Sequence, residues 1–182
     1  WRYPDQTKVI MQLPRNFSDE GFVLKRTNYQ EADRLLTIFT KDHGKLFALA
    51  KGVRKATSRK APHIELFTHC KLHFSSGSHY LLVTQAETIH SFFNLKTDLA
   101  LTRAAFHLNE VLDQLFPEAE VSSETFGLFS NLFQDLNKEN TSPGKRQSLI
   151  TDFQITLLDL LGFGQANTPH PTAVYNKIEE II

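Results

Sequence analysis

Between Lys41 and Lys60 the chain places seven cations, Lys41, Lys45, Lys51, Arg54, Lys55, Arg59 and Lys60, against one acid, Asp42. The protein as a whole carries equal numbers of acidic and basic side chains, so everything outside this window is net negative by six. Phe39 and Phe47 are interleaved with the charges. Ammonium and guanidinium groups neutralise phosphates, and a ring face stacks an unpaired base, so this mixture suits a nucleic-acid strand bound without sequence reading. Lys25 and Arg34, just upstream, extend the positive set. Strand alternation over Gly44–Gly52 puts Lys45, Phe47, Leu49 and Lys51 on one face. Leu46, Ala48 and Ala50, on the other, are small enough for a barrel interior. Period two cannot say which face is inward, so base stacking and core packing both stand for Phe47. Arg54, Lys55, Arg59 and Lys60 fall in a stretch too polar for core, after Gly52, which frees the backbone to turn.

Other chemistries do not assemble. Gly144-Lys145 is followed by Arg146 rather than Ser or Thr, and Glu139 stands where a phosphate loop needs its first glycine. No Gly-x-Ser-x-Gly occurs, and no Ser/His/Asp set is suggested by spacing. His69, Cys70 and His73 are close in sequence, but on a strand the histidines point away from Cys70. The expectation is a protein with no catalytic site, no metal and no cofactor. Cys70 is the only cysteine, so no intrachain disulfide forms and a reducing cytoplasm fits. No apolar run approaches membrane-spanning length, and no secretory signal opens the chain, which gives a cytoplasmic expectation with no membrane partner. The chain opens on Trp1 and its one methionine is Met11, the expected biological start; Ile182 ends inside an apolar-periodic segment, as a clipped chain would.

The elements that must position the basic window read as follows. Leu66, Thr68, Cys70, Leu72 and Phe74 alternate with Phe67, His69, Lys71 and His73, the pattern of a half-buried antiparallel strand. Ser75 to His79 is turn chemistry, and Tyr80–Ala86 reads as the returning strand of a hairpin. Gly21–Thr27, Arg34–Thr40 and Gly44–Lys51 bring the inventory to five short strands, that of a small barrel. After Asn94 the period changes to 3.6. Leu101, Ala104, Ala105, Leu108, Val111, Leu112 and Leu115 form one helix face, and Pro117 stops the helix. A second helix starts at Ser122 or Ser123 and buries Phe126, Phe129, Leu132, Phe133 and Leu136. Asn137–Gln147 reads as a loop around Pro143-Gly144. A third helix carries Ile150, Phe153, Leu157, Leu160 and Leu161, with Gly162 as its C-terminal residue, and a last one runs from Thr172. The domain expectation is an N-terminal extension over 1–19, a strand domain over 20–93 and a helical domain over 94–182.

In Gly21–Lys25, in Tyr29, Glu31, Asp33, Leu35–Thr37, Phe39 and Thr40, and in Gly44-Lys45 leading to Ala50–Gly52, Arg54, Lys55, Ser58 and Arg59, the sequence resembles the RecO family of bacterial recombination mediators. Thr84–Glu87, and Phe153 through Leu160–Gly164, follow in the same order. The resemblance covers most of the chain, and it selects among small barrels. It implies an α+β protein, with a five-stranded barrel of the oligonucleotide-binding (OB) type followed by a helical bundle. It implies a non-enzymatic mediator of DNA repair that binds single-stranded DNA, anneals strands and helps load a RecA-type recombinase. The implied partners are single-stranded DNA, a RecR-type protein, RecA indirectly, and the acidic, Phe-ended tail of single-strand-binding protein. The DNA-contacting set would be Lys25, Arg34, Lys45, Phe47, Lys51, Arg54, Lys55, Arg59 and Lys60. The tail would lie in a helical groove near Arg103, His107, Phe129 and Leu132, where Asp113 and Gln114 make the contact weak. Many relatives carry a cysteine set after the Leu-Gly-Phe-Gly-like segment; here Gln165–Pro171 holds none, which removes that metal. An OB module binding structured RNA, with the helices as scaffold, is the alternative.

Overall fold

The computed structural model describes residues 7–77, 80–139, 141–162 and 178. The expected last helix from Thr172 and the Gln165–Pro171 stretch lie outside them. The chain is α+β, with five strands followed by helices. A short helix, α1 (Thr7–Gln12), precedes β1 (Asn16–Tyr29), β2 (Asp33–Thr40), β3 (Gly44–Ala50), β4 (Thr68–Ser76) and β5 (Leu81–Ser91). The strands close into a barrel in the order β1-β2-β3-β5-β4.

Closure depends on β1, which at 14 residues is long enough to serve two neighbours. Its first half pairs antiparallel with β4 and its second half with β2. Gly21 sits where the two pairings overlap, opposite both Thr40 and Cys70. A side chain there would begin 2.8 Å from the Ile38 methyl, so only glycine lets the three strands approach. A bulge between Val23 and Lys25 then bends β1 around the barrel. The seam is short and parallel, with Ala48 opposite Leu81 and Leu49 opposite Leu82.

Alternation decides what fills the interior. Leu46, Ala48 and Ala50 of β3 face inward with Cys70, Leu72 and Phe74 of β4, as their spacing predicts. Burial pushes the Cys70 thiol up to about 12. Three expectations need correction. β1 begins at Asn16, so part of the expected N-terminal extension is barrel strand. The β3–β4 connection is not purely polar, because Val53 and Ile64 anchor it in the core. His69, expected on the polar face of β4, is buried, stacked on Phe22 with ring centroids 4.7 Å apart.

Burial holds the His69 imidazolium below its usual range, partly offset by Glu20, while His90 and Lys41 lower it further. An unfolded histidine takes up its proton near about pH 6.5. Between that value and the lower folded one the unfolded chain binds more protons, so stability is full above about pH 6.5 and falls as pH drops through it. Melting temperature should therefore fall from about pH 7.5 to about pH 5.5, and fall less in His69→Phe, which keeps the ring on Phe22 but cannot titrate. Equal declines would contradict this.

The second compact unit comprises 92–115 and 123 onward, whereas 116–122 belongs to the barrel unit. Phe116 packs on Phe39 at 5.3 Å, and the Ala119 amide donates to the Lys45 carbonyl at 2.9 Å. This stretch, expected in the helical half, thus joins the barrel at the β3 edge that β5 leaves unpaired. The helices are α2 (Phe93–Thr97), α3 (Leu99–Leu115), α4 (Ser123–Leu136) and α5 (Pro143–Leu160). Asp98 opens α3 by accepting from the Ala100 and Leu101 amides at 2.9 and 3.2 Å, and pairs with Arg146 at 2.8 Å. α5 starts inside the expected loop. Ser142 caps it by accepting from the Lys145 amide at 3.3 Å, and Pro143 fits the first turn, where its missing N–H costs nothing. Phe153 and Leu157 of the expected α5 stripe are buried, but Leu160 is exposed and Leu158, not expected there, is buried.

Candidate nucleic-acid interface

The turn after β1 and the loop after β3 are fastened to one another. The Asp33 carboxylate Oδ1 accepts from the Gly52 amide at 2.7 Å, and the Arg54 amide donates to the Ala32 carbonyl at 2.8 Å. The Arg54 guanidinium reaches back to the carbonyls of Glu31 and Gln30 at 3.0 and 3.3 Å. Gln30 at φ 50° and Gly52 at φ 66° make the two reversals that bring these backbones together.

Beside this junction opens a cleft of about 240 Å³ lined by Tyr29, Gln30, Asp33, Leu49, Lys51, Gly77, Tyr80 and Leu82. Tyr29 ends β1 and Tyr80 precedes β5. Their rings meet edge-on, with centroids 6.1 Å apart and planes at 62°, and their hydroxyl oxygens lie 3.5 Å apart. That hydrogen bond pushes the Tyr80 phenol above its usual range. The cleft therefore combines two aromatic rings, an apolar floor, a carboxylate and an ammonium at its rim.

The sequence-predicted cations separate into groups. Lys51, Lys55 and Arg59 are exposed. Arg54 is exposed too, but its guanidinium holds the turn carbonyls. Lys60 donates to the Val83 carbonyl at 2.9 Å; burial pushes its ammonium below the usual range, partly offset by Asp33. It fastens the loop to β5. Arg34 and Arg26 share the Glu65 carboxylate, which offsets one of their two charges. Lys25 and Phe47 are half-buried, with the Lys45 ammonium 5.9 Å from the Phe47 ring centroid. Lys45 itself is 7% exposed, so its expected role as a surface phosphate contact is corrected: the 116–122 stretch pairs along its backbone.

The expected helical groove does not form from its four residues. Phe129 is fully buried against Phe133 and Phe153, at 4.3 and 5.9 Å. Leu132 lines a shallow cleft of about 150 Å³ with Leu128, Leu149, Asp135 and Asp152, charges that oppose an acidic tail. His107 lies 3.0 Å from Gln154, and Arg103 stands exposed on α3. The tyrosine pair was missed in the sequence because no local pattern links Tyr29 to Tyr80; the available signal was that each flanks a turn.

The family model described as Recombination protein O N terminal matches residues 11–92, and that described as Recombination protein O C terminal matches 96–166. A protein of Heliobacterium modesticaldum named DNA repair protein RecO is 37% identical over 149 residues, 82% of this chain and 52% of that relative. Proteins of the same name from Roseiflexus sp. and Acetivibrio thermocellus are 34% and 32% identical, over 82% and 79% of this chain and 51% and 56% of theirs. The chain spans about half the length of the curated relatives it matches. With one family model on the strands and the other on the helices, in that order, the chain belongs to the RecO family.

Proposed function

We propose that this chain is a cytoplasmic, non-enzymatic mediator of recombination in DNA repair. Its barrel, of the OB type, binds single-stranded DNA and supports strand annealing, and its helices form a bundle. With a RecR-type partner it helps place a RecA-type recombinase on DNA coated by single-strand-binding protein. The observation that carries the reading is the Tyr29–Tyr80 cleft with Lys51 at its rim and Lys55 and Arg59 in the adjoining loop. It lies between the β1–β2 and β4–β5 turns, the loops that flank the oligonucleotide path in OB barrels. Aromatic faces and cations together bind single strands irrespective of sequence, with stacking contributing about 1–3 kcal/mol per base. For the acidic, Phe-ended tail, the proposal favours the α3 face of Leu99, Arg103 and Phe106, where Leu99 and Phe106 are 69% and 50% exposed, over the acid-lined cleft at Leu132.

Fluorescence anisotropy with a mixed-sequence single strand, its duplex and the matching RNA tests the assignment. Preference for the single DNA strand is expected, together with faster pairing of complementary strands in the presence of the protein. Tighter binding to structured RNA, with no annealing, would favour an RNA-binding module instead.

A further inference from the structure

We propose that the Tyr29–Tyr80 cleft receives one unstacked nucleobase and, through Asp33, favours bases carrying an exocyclic amino group, cytosine over thymine; this rests on the single-strand reading above. The cleft, at about 240 Å³, is smaller than the roughly 300–1,000 Å³ of sites for drug-sized ligands. That is the scale of a single base. The tyrosine planes stand at 62°, so one ring can take the face of a base while the other meets its edge. Leu49 and Leu82, paired across the β3–β5 seam, give an apolar floor.

Selectivity follows from the polar lining. The Gln30 amide both donates and accepts, so it does not choose among bases. A carboxylate only accepts. Asp33 is fixed in orientation because its Oδ1 takes the Gly52 amide at 2.7 Å, yet a carboxylate has about four lone-pair sites, which leaves acceptors for a ligand. Cytosine offers its N4 amino donor to such a group, a recognised carboxylate–base pairing. Thymine presents its one N3–H between two carbonyl oxygens, which a carboxylate repels. Lys51, on the same rim, supplies a cation for the adjoining phosphate, and Lys60, near enough to Asp33 to feel its charge, is occupied by the Val83 carbonyl.

The test is anisotropy with oligo-dC and oligo-dT of equal length, at one salt concentration and mildly alkaline pH, on the wild-type chain and on Asp33→Asn. The wild type should bind oligo-dC about fivefold to tenfold more tightly, the effect of one base-edge contact at the low end of its range. In Asp33→Asn the amide oxygen can keep the Gly52 hydrogen bond while the NH₂ reads thymine O4. The dC-to-dT ratio should then fall to about one or below, and loss of a negative charge, which acts on both oligomers alike, leaves that ratio untouched. Tyr80→Leu should weaken both oligomers and also bring the ratio toward one, with the fold checked by circular dichroism. Equal wild-type affinities, or a cytosine preference that survives in Asp33→Asn, would overturn the base selectivity while leaving single-strand binding intact. Failure of the wild type to bind either oligomer would overturn the single-strand reading and this inference with it.

Discussion

Gly44→Ala is expected to destabilise the barrel by about 3 kcal/mol, lowering the melting temperature by roughly 6–12 °C. Two effects add at this position. Gly44 has φ +68°, where any Cβ is strained by about 1 kcal/mol. A Cβ would also lie 2.1 Å from the Glu120 carbonyl oxygen and 2.5 Å from its carbon. Both are backbone atoms, which cannot swing aside as a side chain can. Relief requires the 116–122 stretch to lift away, breaking the Ala119–Lys45 hydrogen bond and uncovering Phe116. Gly52 is the internal control. Its φ is +66°, but the nearest atom to an added Cβ is the Lys55 Cδ at 3.9 Å. Gly52→Ala should thus lose only the conformational part, about 1 kcal/mol or roughly 2–4 °C. A Gly44→Ala protein melting no lower than Gly52→Ala would contradict the packing described for the 116–122 stretch.

The second large effect concerns DNA. Changing Lys51, Lys55 and Arg59 together to alanine should weaken single-strand binding about a hundredfold at low salt. It should also flatten the log–log salt dependence by about 2, since each neutralised phosphate contributes roughly 0.7 on single strands. All three are exposed, so the fold should persist. Lys45→Ala should leave the slope unchanged, because that side chain is buried. Salt slopes from anisotropy titrations of the two variants separate the cases. A slope unaltered by the triple change would reduce the loop charges to a solvated surface.

The difference between Lys45 and Lys51 marks where sequence reading stops. Alternation over Gly44–Gly52 correctly separates Leu46, Ala48 and Ala50 from Lys45 and Lys51, because one face of the strand fills the core. It says nothing about the burial of Lys45 on the other face, nor about the stretch that pairs with the β3 edge there, which lies some seventy residues away in the chain, at 116–122. Arg54 and Lys60 were legible as cations, but carbonyls of other strands and turns hold them, and those partners are set by tertiary structure. The start of α5 is a different miss. Ser142 followed by Pro143 is a local helix-start signal, outweighed in the reading by the turn propensity of Pro143-Gly144. The stripes of α3 and α4 were legible because apolar spacing at 3.6 directly records the buried face. The tyrosine pair had no such record.

Photo-crosslinking of a single DNA strand to the protein, with the attached residues located by mass spectrometry, tests whether the tyrosine cleft and the loop after β3 carry the strand. Adducts are expected on Tyr29 and Tyr80, the rings of the cleft, and on peptides spanning Lys51 to Arg59. Adducts confined to α3, α4 and α5, or to the outer face of β4 around Lys71 and His73, would contradict that placement.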